Sequence, residues 1–186
     1  MHTARFLPAC LFLSCLLIWA GCDSSEKNIQ SRTSQAEAPA PLFRLLSPEQ
    51  TGVQFANVLP ENPEMNILAY EYYYNGGGVA IGDVNNDGLA DLYLTANLVA
   101  SRLYLNRGGM RFEEVTRQTG AVSRPGWKTG VTMADVDGNG FLDIYICRSG
   151  KMEAAGRANE LFMNNGDGSF TERAAELGLA DEGYGT

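Results

Sequence analysis

Two stretches of the chain decide its reading: GGVAIGDVNNDGLADLYLTAN from Gly77 to Asn97, and TGVTMADVDGNGFLDIYICRS from Thr129 to Ser149. They match in order and chemistry at an offset of 52 residues. Downstream, Ser101–Ala121 (SRLYLNRGGMRFEEVTRQTGA) matches Asn159–Leu179 (NELFMNNGDGSFTERAAELGL) at an offset of 58, so a loop insertion falls between Ser149 and Asn159. A further copy of the phenylalanine segment stands first, as FRLLSPEQTGV from Phe43, and Gly183-Tyr184-Gly185-Thr186 aligns with Gly126-Trp127-Lys128-Thr129. Internal periods of this size mark propeller blades or similar arrays.

Within each unit the pattern is that of strands. Val79 and Ile81 alternate with small residues, and Leu92-Tyr93-Leu94 and Ile144-Tyr145-Ile146 follow the acidic loops. Leu103–Asn106 runs into Arg107-Gly108-Gly109, and Phe112 opens another strand. Asn164–Gly168 reads as a hairpin turn with left-handed positions built in. The segments 113–120 and 172–179 are expected to be short helical turns closed by Gly120 and Gly178. The fold expected is all-β.

The chemistry lies in the two acidic loops. Asp83, Asn85, Asp87, Gly88, Leu89 and Asp91 spell D-x-N-x-D-G-x-x-D; Asp135, Asp137, Asn139, Gly140, Phe141 and Asp143 spell D-x-D-x-N-G-x-x-D. Oxygen side chains at positions 1, 3 and 5 face one concavity, and glycine at position 6 permits the sharp turn. The position-7 carbonyl, of Leu89 or Phe141, can face inward, and the position-9 aspartate closes the ring. A donor set of oxygens alone suits a hard cation, and Ca²⁺ over Mg²⁺, because six or seven ligands from one flexible loop fit the larger ion. An EF-hand is excluded: its position 12 needs glutamate, and here stand Leu94 and Ile146. The competing reading is a plain Asp/Asn/Gly-rich turn. Two copies in register within a repeat favour the metal.

Composition narrows the function. The chain has 186 residues, 45 % of them hydrophobic, a globular level. Its 21 glycines suit many tight turns. A formal net charge of −8 argues against nucleic acid as a partner, since nothing neutralises phosphates. The single histidine, His2, lies in the leader, so Ser-His-Asp and Cys-His catalysis and His-ligated metals are excluded from the processed chain.

That leader occupies residues 1–21. Arg5 precedes fifteen residues, 6–20, that are apolar apart from Ser14; they suit a signal-peptide core and are short for a permanent span. Ala20-Gly21-Cys22 then resembles a bacterial lipoprotein signal, with cleavage before a cysteine that receives lipid; an ordinary secretory signal with an incidental cysteine is the alternative. Of the four cysteines, Cys10 and Cys15 leave with the leader and Cys22 is acylated, so Cys147 has no disulfide partner. Residues 22–42 form a polar tether reaching roughly 25 Å, and residues 43–186 hold the repeats. The expected location is the bacterial cell envelope, as an outer-membrane lipoprotein with its periplasmic or surface face open, held by the anchor at Cys22.

The quoted loops, the LYLN and LFMN strands, FEEVT and GWKTGV together resemble FG-GAP/VCBS repeat proteins, of the group related to cartilage acidic protein and often joined to an ASPIC/UnbV domain. The resemblance covers residues 43–186. It implies a β-propeller with Ca²⁺ loops, as in integrin α-chain heads, and a role in binding or adhesion without catalysis. About two and a half blades are present, so the expectation is a partial propeller, completed by the remaining blades of a longer parent chain or by other copies. Two other functions stand as alternatives: a Ca²⁺-dependent envelope hydrolase acting on glycans or phosphoesters, and a glycan-binding accessory module. For the second, Tyr70, Tyr72, Tyr73 and Tyr74 would supply a stacking platform, although a strand with one face in the core is the reading adopted for that run. Trp127 is expected to pack, and Cys147 to be a small buried residue.

Overall fold

The computed structural model describes residues 41–185. The leader, Cys22 and the tether up to residue 40 lie outside the described residues, as does Thr186.

Four strands form the first sheet: β1 Val79–Gly82, β2 Asp91–Leu94, β3 Arg102–Asn106 and β4 Phe112–Glu114. The second repeats the plan with β5 Lys128–Ala134, β6 Asp143–Arg148, β7 Glu160–Asn164 and β8 Phe170–Glu172. Both are antiparallel meanders in sequence order. Their registers correspond: Gly82 faces Asp91 as Ala134 faces Asp143, and Tyr93 faces Leu103 as Tyr145 faces Leu161. Each acidic loop therefore joins the first and second strands of its sheet. An all-β fold of two repeated units is the outcome the alternation and the offsets pointed to.

One core joins the sheets. Ala80, Tyr93, Leu103, Val115 and Ala121 of the first unit pack with Ile144, Ile146, Phe162 and Phe170 of the second. Small Ala80 faces this core, whereas Val79 and Ile81 are 58 % and 65 % exposed on the opposite face. Gly82 shows why the first strand carries small residues inward: an added Cβ would meet Leu142 Cδ1 at 2.6 Å. The units also nest through their helical turns. Thr116–Thr119 (α2) ends at Gly120, whose Cβ position lies 3.0 Å from the Phe170 carbonyl oxygen; Pro48–Thr51 (α1) ends at Gly52, 2.5 Å from that of Phe112. The same glycine thus touches the same phenylalanine of the next unit. A third turn, Ala154–Arg157 (α3), lies in the inserted segment.

Segment 172–179 makes the expected single helical turn: Leu177 N–H bonds the Arg173 carbonyl at 3.1 Å, and Gly178 closes it at φ 69°. Two expectations change. The tyrosine run is no strand: Tyr73 N–H bonds the Tyr70 carbonyl and Asn75 N–H that of Tyr72, which folds the run into turns. Only Tyr73 is buried, donating its hydroxyl to the Pro60 carbonyl at 2.7 Å, while Tyr72 and Tyr74 stay exposed. Cys147 is half-buried, and burial raises its thiol pKa. Trp127 does pack, 2 % exposed, edge-on to Tyr70 at 5.1 Å and tilted on Tyr73 at 5.6 Å.

A buried ion pair sits between the second sheet and the chain leading into it. Glu160 accepts from Arg148 Nη1 at 3.0 Å, Ser123 Oγ at 2.6 Å and Arg124 N at 2.8 Å. Lys128 lies beside it, 1 % exposed. Among the described residues no helix is long and apolar enough to cross a membrane.

Candidate metal site in the acidic loops

The two loops lie at one end of their sheets, each after a first strand, and share a hydrogen-bond plan. The position-1 carboxylate folds the turn: Asp83 accepts Asp87 N–H at 3.1 Å and Gly88 N–H at 2.7 Å. Asp135 accepts Gly138 N–H at 2.8 Å, Asn139 N–H at 3.1 Å and Gly140 N–H at 2.9 Å. Position 3 accepts the position-5 N–H in both, at 3.2 Å on Asn85 and 3.1 Å on Asp137. Position 5 accepts the position-7 N–H: Leu89 to Asp87 at 2.9 Å, Phe141 to Asn139 at 2.8 Å. Gly88 (φ 84°) and Gly140 (φ 87°) make the expected sharp turn. Position 4 is left-handed too, as Asn86 (φ 59°) and Gly138 (φ 75°), which the motif alone does not announce.

Position 9 differs from the rest. Asp91 is fully buried and Asp143 nearly so. Asp91 accepts Val84 N–H at 3.0 Å on one oxygen and Asn106 N–H at 2.8 Å on the other. Asp143 accepts Val136 N–H at 2.9 Å and Asn164 N–H at 2.7 Å. Burial raises the Asp91 pKa; the two N–H donors pull it down, and Asp87 and Asp83 push it up again.

The asparagines that end the third strands belong to the site, and the reading of the loops passed over them. Asn106 Nδ2 bonds the Ala90 carbonyl at 3.0 Å, and Asn164 Nδ2 that of Leu142 at 3.1 Å. Asn164 Nδ2 also reaches the Val84 carbonyl in the first loop at 2.8 Å. The two loops touch directly where Asn86 Nδ2 donates to the Gly140 carbonyl at 2.9 Å. The signal was in the sequence: LYLN and LFMN put the same asparagine at the same strand end.

The loops differ in how far their acids converge. Asp135, Asp137 and Asp143 each offer a carboxylate oxygen within 4.8 Å of the others. Among the described residues this is the one such trio; Asp83, Asp87 and Asp91 are not drawn to that distance. Each carboxylate oxygen has two lone pairs, so oxygens that accept loop N–H groups keep capacity for a cation. An all-oxygen set of this kind fits a hard divalent ion.

Residues 83–146 match the FG-GAP-like repeat model. The matched FG-GAP-like stretch opens on Asp83, the first acid of the first loop, and runs past Asp143, the last acid of the second. It therefore takes in both loops. No curated protein matches the chain.

Proposed function

We propose that this chain is a non-catalytic, calcium-binding repeat module whose two sheets are blades of a β-propeller. The observation that carries the ion is the converged trio Asp135, Asp137 and Asp143. Asn139 and the Phe141 carbonyl would complete that set; Asp83, Asn85, Asp87, Asp91 and the Leu89 carbonyl would close around a second ion. Each ion would neutralise clustered carboxylates and fix the turn between two strands, so folding and metal binding are linked.

Blades are the reading because both outward faces of the pair remain apolar. Val79 and Ile81 are exposed on one side. On the other, a cavity of 280 Å³ is lined mainly by Ala134, Val136, Tyr145, Leu161 and Leu179, with Thr132 and Asp143 at its polar edge. Further units of a longer parent chain, or other copies, would cover these faces. The module would serve binding or adhesion in the bacterial envelope, exported and held in the outer membrane by lipid on Cys22.

Calorimetric titration with Ca²⁺, and thermal melts in excess EDTA and in Ca²⁺, test the ion. Saturable heat and a raised melting temperature are expected, with a smaller response to Mg²⁺. A flat titration with identical melts overturns the reading.

A further inference from the structure

The tyrosine run that fails to form a strand builds something else. A cavity of 530 Å³ opens between it and the second unit. Tyr70, Tyr72, Trp127 and Tyr184 give it aromatic walls; Glu71, Asn75, Thr129, Ser149 and Lys151 give it polar groups. Tyr70 stands edge-on to both Tyr72, at 5.7 Å, and Trp127, at 5.1 Å, which links the three rings along one wall. Tyr184 is held by the Arg157 guanidinium, 4.4 Å from its ring centroid.

The cavity follows from the repeat. Asn75, Trp127 and Tyr184 occupy the same place in three successive units, just before the segment that becomes the first strand in β1 and β5. It therefore sits where those strands begin, whereas the acidic loops follow where they end. The two sites are separate.

The lining selects a ligand class. Aromatic faces pack against flat, apolar C–H surfaces. The polar groups include an acceptor carboxylate, a donor ammonium, and hydroxyl and amide groups that do both, which suits a ligand bearing several hydroxyls. One carboxylate and one ammonium sum to no charge. A phosphorylated ligand would meet Glu71, and a quaternary ammonium would meet Lys151. The volume falls within the ~300–1,000 Å³ of ordinary ligand sites. We propose that this cavity binds a neutral pyranose ring, with Tyr72 as the stacking face and Glu71 accepting from ring hydroxyls. This rests on the reading of the chain as a binding module and does not require the ion.

Saturation-transfer NMR on the folded chain in Ca²⁺ tests it, with methyl glucoside, methyl galactoside and methyl N-acetylglucosaminide and their β-linked disaccharides as probes, and phosphocholine and inorganic phosphate as competitors. Transfer to the C–H protons of at least one pyranoside is expected. Tyr72→Ala should weaken it at least tenfold and Glu71→Gln about fivefold. Tyr74→Ala, in the same exposed run but outside the cavity, should leave it unchanged. The site is overturned if no pyranoside binds, if Tyr72→Ala binds as the wild type does, if Tyr74→Ala weakens binding equally, or if phosphocholine or phosphate displaces the sugar. A protein that keeps its calcium-dependent melt yet binds no pyranoside overturns the sugar site alone.

Discussion

Asp137→Asn should raise the melting temperature in EDTA and lower it in calcium, relative to the wild type. The inversion follows from the trio. Three carboxylates offer oxygens within 4.8 Å of one another. At that spacing each like-charge pair costs about 0.9 kcal/mol with water-like screening, and about half that in ~0.15 M salt. Asp137 takes part in two of the three pairs, so neutralising it relieves about 1–2 kcal/mol. Less is lost in exchange: Asp137 is exposed, an amide oxygen can still accept the Asn139 N–H that Asp137 holds at 3.1 Å, and what goes is a long bond from Asn139 Nδ2 at 3.4 Å and a weak attraction to Arg173. For a chain of this size 1 kcal/mol moves the midpoint about 2–4 °C, so the variant should melt about 2–8 °C above the wild type in EDTA. In calcium at a hundredfold excess over its dissociation constant, an intact site gains about 2.7 kcal/mol. The variant forfeits most of that gain, which exceeds its relief, and should melt below the wild type. Differential scanning calorimetry at low salt, in EDTA and in millimolar Ca²⁺, reads both arms. A variant that melts lower in both media refutes the stored repulsion. Equal calcium shifts in the two proteins refute the role of Asp137 at the ion.

Asn164→Ala should cost about 2–3 kcal/mol in urea melts, since it removes bonds to Val84 and Leu142 and the acceptor of Gly166 N–H (3.0 Å) at a buried position. Asn106→Ala, which loses only Ala90 and Gly108 (2.9 Å) from a half-buried place, should cost about 1–2 kcal/mol; equal losses would mean that the reach across to the first loop contributes nothing. Stability should rise with pH between about 8 and 10. Burial, aided by Arg148 and opposed by Glu160, lowers the Lys128 pKa from 10.5 to about 8, so in that window the unfolded chain binds more protons than the folded one. Lys128→Met should abolish the slope and be the more stable protein at pH 7, by chemical denaturation at both pH values.

What the sequence disclosed was local. Both acidic loops are folded by their own side chains at positions 1, 3 and 5, so spacing and residue type suffice to see them. The strands follow from alternation over a few residues, and the repeat fixes their order. What stayed hidden depends on contacts distant in the chain. The tyrosine run has the β propensity of a strand, yet Tyr73 is spent against Trp127 and the Pro60 carbonyl, which turns the backbone. Val79 and Ile81 face away from the core because Leu142 and Met133 close over Gly82, a proximity set by the packing of two sheets. Asn106 and Asn164 act on carboxylates fifteen and twenty-one residues earlier. Only the recurrence of the asparagine at both strand ends pointed to them.

The position-9 aspartate explains why such short strands hold together. Strands of three to seven residues pair weakly by themselves, and among the described residues Cys147 is the one free cysteine, so no disulfide supports the sheets. Asp91 and Asp143 supply the missing tie. Each holds, on one oxygen, the N–H that follows the first acid of its loop and, on the other, the N–H at the end of the third strand. One buried carboxylate thereby fastens the turn between strands one and two to strand three. Burying the Asp91 charge is costly, and its two N–H donors offset the cost only in part, as its raised pKa records. A cation at the loop would offset the remainder. The fastening role by itself accounts for a buried acid at position 9 while positions 1, 3 and 5 of the first loop remain at or near the surface, and under the proposed calcium reading the same group would also be a ligand.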